Sequence, residues 1–337
     1  MKKDIEKLGG GRGLNSGARK WIADFVLLLV TFVWGTTFVL VQNTIETLPP
    51  FSFLAIRFSM AGALILLFFR WKNVSFRIPL KHLFVGAYIG MWLFSAYALQ
   101  TFSLLYTTSG KSGFLTGLSV ALVPIWSFLL LGMRPRPNAA VGVLSAVGGL
   151  YLLAFADFSS VNRGDVLALL CAVAFGLQIV YTGKYAPKVE TLHLVTVQIF
   201  TVALLSGGCS LLFEPWERVF RENVLADPSV LTALLITAFL ATSLAFLAQT
   251  HFQKFTTPTR VALIFAMEPV FAALADYWWM GVSLGGRALA GCILIFAGMV
   301  LAEIEWPRIR RKHPSDDRKR AFLADPSPAS LPPLGKK

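Results

Sequence analysis

Two residues in this 337-residue chain are ionisable in places where ionisation is expensive. Arg57 stands in the middle of the apolar run FSFLAIRFSMAG, and Glu268 in the middle of RVALIFAMEPVF. A charge at the centre of a hydrocarbon layer costs about 2.5 to 3.5 kcal/mol on insertion scales, so such side chains are seldom idle. A guanidinium there requires an anion or a carbonyl dipole, whereas a carboxylate binds protons or cations reversibly. For Arg57, holding a ligand and tethering helix ends are equally open readings. Glu268 precedes Pro269, whose ring frees a backbone carbonyl of the preceding turn, and it reads as a site of proton or cation chemistry ahead of a structural acid. Lys111 heads a further apolar run; drawing an anion inward and snorkelling to headgroups are both open to it.

Uncharged polar and aromatic residues form a second class: Trp34, Trp92, Tyr97, Gln100, Gln178, Tyr181, Gln198 and Gln249. An unpaired amide is costly in lipid, so Gln100 and Gln249 should face an interior. Asp24, Asp165, Asp276 and Arg287 lie close enough to apolar-run ends for solvation to explain them. His193 and His251 stand alone, which is weak ground for a pH switch. Trp278 and Trp279 fit an interfacial aromatic belt. Cys171, Cys209 and Cys292 lack disulfide or metal-ligand spacing, and no cofactor or metal is expected.

A mean hydropathy of +0.65 and 55% apolar residues place these side chains in an integral membrane protein. Ten spans of roughly 20 apolar residues can be drawn: Ile22 to Gln42, Phe51 to Phe69, His82 to Tyr106, Gly110 to Leu131, Ala139 to Phe155, Asp165 to Tyr185, Leu192 to Phe213, Val230 to Phe252, Arg260 to Met280 and Leu284 to Glu303. A basic tail over 1–21 precedes them, and a basic, then Ser- and Pro-rich, disordered tail is expected over 306–337. With both termini in the cytoplasm, 25 of the 31 Lys and Arg fall on the cytoplasmic side. Outside lie Lys111, Arg163, Arg218, Arg221 and Arg287, with Arg57 alone inside a span, as the positive-inside rule requires. The net charge of +13 therefore reports orientation in the cell membrane; the dispersed cations argue against nucleic-acid binding.

The chain repeats itself. An offset of 149 aligns Gln100-Thr101 with Gln249-Thr250, Thr107-Thr108 with Thr256-Thr257, Lys111 with Arg260, and Gly132, Gly142 and Gly149 with Gly281, Gly291 and Gly298. An offset of 141 aligns Asp24 with Asp165, Gly35 with Gly176 and Arg57 with Gln198. Five spans per half place the second copy upside down, so the expected architecture is all-α, with inverted five-helix repeats over 22–155 and 165–303. Such a duplication builds a midplane cavity that either half can open. Gly86 and Gly90, and Gly113 and Gly117, have the spacing for close helix packing, here expected between spans three and four, with a homodimer contact as the alternative. Gly110-Lys111-Ser112 mimics a P-loop ending, but Leu105 replaces the first glycine; the GGGRG run at Gly9 likewise lacks the dinucleotide pattern.

Trp34-Gly35-Thr36-Thr37, Pro50 with Ala55-Ile56-Arg57-Phe58, Thr108 to Phe114 with Pro124, and Met267-Glu268-Pro269-Val270-Phe271 occur in an order and spacing that resembles the EamA-type, ten-helix family of the drug/metabolite transporter superfamily. The resemblance covers about residues 22 to 303. It implies ATP-independent secondary transport of small metabolites, commonly export of amino acids or related compounds, through a cavity open alternately to each side. One departure is that Met133 and Val282 follow Gly132 and Gly281, where the family often has Glu. Pro124 and Pro269 are one helical turn out of repeat register, so symmetric kinks are not expected.

The resulting expectation is a carrier and not an enzyme. Glu268 binds a coupling proton or substrate cation, Arg57 and Lys111 orient an anionic group, and Trp34, Trp92, Gln100, Tyr181 and Gln249 line the cavity. Its partners would be a small-molecule substrate, a coupling proton and the lipid bilayer. An integral-membrane or lipid-modifying enzyme is the alternative, which the scattered histidines and lack of paired acids disfavour; a passive channel is a third.

Overall fold

The computed structural model describes residues 16–71, 77–154, 162–217, 219, 224–281 and 285–303. Its helices are α1 (Ser16–Ile45), α2 (Pro50–Trp71), α3 (Leu80–Ser103), α4 (Ser109–Gly117), α5 (Ser119–Leu131), α6 (Pro137–Ala154), α7 (Arg163–Tyr185), α8 (Thr191–Phe213), α9 (Pro228–Ala238), α10 (Ala245–Phe252), α11 (Pro258–Phe265), α12 (Glu268–Met280) and α13 (Gly286–Glu303). There is no strand among the described residues. Pairs α4–α5 and α11–α12 each make one broken span, and α9 and α10 are joined through a π-helical turn, Phe239–Leu244. Eight stretches are long and apolar enough to cross a bilayer, and α6 and α13 are shorter apolar helices, which gives the ten expected spans among the described residues. α1 begins at Ser16, ahead of the expected Ile22, while residues 1–15 and 304–337 of the expected tails lie outside the described residues.

The helices are apolar all round, as a bilayer demands of a bundle. Leu204, Leu212, Phe213 and Leu144 point outward, while Phe53, Phe58, Leu93, Leu150 and Leu194 are fully enclosed. Helix ends inside this apolar setting need partners for their free N–H groups. The Glu214 carboxylate takes two from the start of α2, accepting from Phe51 N at 2.7 Å and Ser52 N at 2.8 Å.

The two halves interlock through several helix pairs, of which α6 and α13 are the most extensively packed. A Cβ on Gly142 would come within 2.5 Å of the Gly298 carbonyl, and one on Gly298 within 2.6 Å of the Gly142 carbonyl. Gly149 and Gly291 repeat this reciprocity, each 2.6 Å from the other's carbonyl. Each glycine thus touches not its own repeat counterpart but the other one, so the repeat interchanges the two contacts across a pseudo-two-fold axis, backbone against backbone, which only glycine permits. Gly298→Leu is expected to wedge this seam apart and cost about 2 to 3 kcal/mol as an overpacked contact. A melting temperature in detergent equal to that of the wild type would contradict it.

Gly132 and Gly281, also repeat partners, end the fourth helix of each half with φ of 66° and 65°. Glycine takes that left-handed turn without steric penalty. The expected packing of Gly86 and Gly90 needs correction. They lie against Val197 and Thr201 of α8, so they join spans three and seven; Gly117 meets Leu150 and Pro269, and Gly113 has open space around it.

Both fourth helices break at the same register. Leu118 N donates to Leu115 O at 3.2 Å, and its counterpart Met267 N donates to Ile264 O at 3.0 Å. Pro269 explains the second break, because it cannot donate to the Phe265 carbonyl. Pro124 does not explain the first, since it lies inside α5. Poor helix propensity at Gly113 and Gly117 precedes that break. The kinks are therefore symmetric although the prolines are not.

Candidate functional site

The two breaks, α10 and residues of α1, α2, α3 and α7 surround one cavity. Its lining follows the repeat. At an offset of 141 Trp34, Thr37 and Phe38 match Phe175, Gln178 and Ile179; at 149 Tyr97, Gln100, Thr116 and Ser119 match Phe246, Gln249, Phe265 and Glu268. Arg57, whose counterpart Gln198 is not part of the lining, completes the charged set. Symmetric positions thus carry asymmetric chemistry. The void between them is narrow, with room for roughly four waters.

Arg57 is 3% exposed. Its Nε donates to Thr242 Oγ1 at 2.8 Å, its Nη2 lies 3.5 Å from the Ala241 carbonyl, and its guanidinium stands 4.9 Å from the Tyr97 ring centroid. The acceptors come from the π-helical turn, whose i to i+5 pattern disturbs the carbonyl ladder. Thr242 Oγ1 bonds back to Thr237 O at 2.8 Å and Ser243 Oγ to Ala238 O at 2.8 Å, while Ala241 O accepts the Trp34 indole N–H at 2.8 Å. Single π-turns in α-helices commonly mark functional sites, because they turn backbone acceptors toward a neighbour.

Glu268 opens α12 directly after the break. Its carboxylate has no hydrogen-bond or ion-pair partner among the described residues, and no ion pair joins it to Arg57. Gln249 Nε2 donates to Gln178 Oε1 at 3.4 Å, and Gln178 Nε2 to Thr182 Oγ1 at 3.1 Å. The Gln249 Oε1 is buried and accepts no hydrogen bond from the described residues, a further polar atom at the cavity wall.

The structure therefore brings together Trp34, Arg57, Gln100, Gln249 and Glu268 of the residues given a cavity role from the sequence, with Tyr97 and Gln178 of the same polar class beside them. It places three elsewhere. Trp92 packs beside Ala96, Cys171 and Ala174; Tyr181 packs against Tyr88, with ring centroids 4.9 Å apart. Lys111 is 4% exposed and its Nζ lies 2.7 Å from Asp165 Oδ2. Solvation consequently does not account for Asp165 and Asp24, which are buried and paired, Asp24 with Arg260. Nor is His193 alone, since its Nδ1 lies 3.2 Å from His82 Nδ1. Ser119, Thr37, Thr116, Phe175 and Thr242 were not singled out. The repeat register carried a signal for Ser119 and Thr37, as counterparts of Glu268 and Gln178; the π-helical turn has no comparable mark in its sequence FLATSL.

Ten helices in two inverted halves around a shared polar cavity define a multi-pass membrane transporter. A profile of the EamA-like transporter family matches residues 21–155 and 162–303, and the chain belongs to that family. It is 31% identical over 300 residues to an uncharacterised transporter of Archaeoglobus fulgidus, covering 89% of this chain and 90% of that one. A probable amino-acid metabolite efflux pump of Salmonella typhimurium is 24% identical, over 85% of this chain and 96% of its own. A crystal structure with 22% identity shares the fold at a TM-score of 0.71, over 86% of this chain and 99% of that chain.

Proposed function

We propose that this transporter is a proton-coupled secondary carrier for a small metabolite bearing both a carboxylate and an ammonium group, an amino acid or close relative, working by alternating access. The observation that carries this reading is the presence in one cavity of a guanidinium, Arg57, and a carboxyl group, Glu268, that form no ion pair with each other. Arg57 would take the carboxylate in a forked hydrogen bond, and Glu268 the ammonium or the coupling proton, one excluding the other. Trp34, Tyr97, Phe175 and Phe246 supply apolar and ring surface for the rest of the molecule. The amino-acid metabolite efflux pump among the similar proteins supports the substrate class, and export as the direction. Dispersion of Lys and Arg supports cytoplasmic termini in the cell membrane.

Counterflow tests the reading. Proteoliposomes preloaded with a mixture of unlabelled amino acids should accumulate a labelled one transiently, with saturable initial rates. Flux that rises linearly with concentration and shows no counterflow would instead describe a channel. Failure of every amino acid to exchange would remove the substrate class.

A further inference from the structure

The two halves are joined crosswise by ion pairs that the repeat itself interchanges. Lys111 opens the fourth helix of the first half and pairs with Asp165 on the first helix of the second. Arg260 opens the fourth helix of the second half and pairs with Asp24 on the first helix of the first. Lys111 and Arg260 are counterparts at 149, Asp24 and Asp165 at 141. Even their backbone settings match: Thr108 Oγ1 caps α4 by accepting Lys111 N at 3.3 Å, and Thr257 Oγ1 caps α11 by accepting Arg260 N at 3.4 Å. Because the repeat is inverted, the pairs stand at opposite faces. Asp24–Arg260 is at the face where α1 begins and α13 ends, here the terminal face, and Lys111–Asp165 is at the other.

We propose that these four residues are the alternating latches of the carrier: each pair locks the cavity from one face, and transport proceeds by releasing one while the other holds. The proposal rests on the alternating-access reading and adds the residues that decide which face opens. Its physical ground is solvation. Two buried opposite charges cannot separate in a dry interior, because each would be left unpaired at a prohibitive cost. They can separate when water reaches them, which is what opening that face means. Pair broken and face open are then one event at each end of the bundle.

The latches are unequal. Asp165 is held by a capping box with Asn162, accepting Asn162 N at 2.8 Å while Asp165 N donates to Asn162 Oδ1 at 3.0 Å, and Thr107 Oγ1 lies 3.1 Å from its other oxygen. Side-chain exposure is 4% and 5% for Lys111 and Asp165, against 24% and 11% for Arg260 and Asp24. The terminal-face latch is the more exposed of the two, so the resting carrier opens there first.

Accessibility measured from each side tests this. Cys171, Cys209 and Cys292 are replaced by Ser, and single reporters Val41→Cys and Ile179→Cys are added on the cavity wall. Membrane-impermeant thiol reagent is then applied to right-side-out and inside-out vesicles. Asp24→Asn should raise labelling of Ile179→Cys from the terminal face and lower labelling of Val41→Cys from the opposite face, each by about tenfold as one state gains population at the other's expense. Asp165→Asn should do the reverse. The charge exchange Lys111→Asp with Asp165→Lys keeps a pair and should return labelling to the wild-type pattern; it also serves if the single variant fails to reach the membrane. Unchanged labelling in both single variants, or a rise at both faces together, overturns the latches. Absence of counterflow with every amino acid, but with the labelling shifts intact, would remove the substrate reading and leave the latches standing.

Discussion

Glu268→Gln removes the pH dependence of transport in proteoliposomes while leaving the protein folded. The carboxylate stands at a helix break on the cavity wall with no hydrogen-bond or ion-pair partner among the described residues, so nothing in the resting protein needs its charge. Glutamine matches its shape and keeps an oxygen acceptor, and the apolar packing of Met267 and Val270 is undisturbed. What disappears is the ability to take up and release a proton. Transport driven by a pH gradient should fall by about 10- to 100-fold, the range expected for one lost interaction with a charged group. Exchange of substrate without a gradient should survive better than gradient-driven uptake. A Glu268→Gln variant whose rate still follows pH as the wild type does would place the coupling group elsewhere.

The second large effect is expected at Arg57, and its signature differs. Arg57→Lys keeps one positive charge but loses the planar fork that bonds Thr242 and lies over Tyr97. Substrate carboxylate recognition should weaken by about 2 kcal/mol or more, read as a KM raised roughly 30-fold or more with a smaller change in maximal rate. Arg57→Gln, which copies the residue at the repeat-related position 198, should abolish measurable uptake. Because Arg57 also ties α2 to the π-helical turn, Thr242→Val is the informative control. It removes the tether and keeps the guanidinium, so it should lower the melting temperature while changing KM far less. If Thr242→Val reproduces the whole transport defect of Arg57→Lys, Arg57 is a tether and not a ligand.

Much of this architecture is written in one dimension. A bilayer enforces a length and an apolar character on each crossing helix, so spans are legible as runs, and duplication leaves register marks such as Lys111 and Arg260 that survive divergence. Arg57 and Glu268 were legible for the same reason, since a charge in such a run stands out by its cost. Contacts between distant segments were not legible. Asp24 and Asp165 look like ordinary solvated helix ends until their partners 236 and 54 residues away in sequence are brought beside them. Gly86 and Gly90 announce a close approach but not to which helix. Pro124 misdirects, because proline near the middle of a span suggests the kink that the chain makes at Leu118 instead. Trp92 and Tyr181 have the chemistry of cavity residues and the right depth, but helix rotation aims them at other helices.

The matched positions Ser119 and Glu268 carry one last consequence. Duplication supplied two equivalent places for an acid at the helix breaks, and only one is filled; among the described residues lining the cavity Glu268 is the sole carboxylate. On the proposed proton-coupled reading, a single cavity carboxyl sets a stoichiometric ceiling of one proton per turnover. With no membrane potential and no net charge moved by the substrate, each unit of pH difference then sustains at most about a tenfold concentration ratio. Ser119→Glu would test whether that ceiling is set by the count of acids or by the cavity around them.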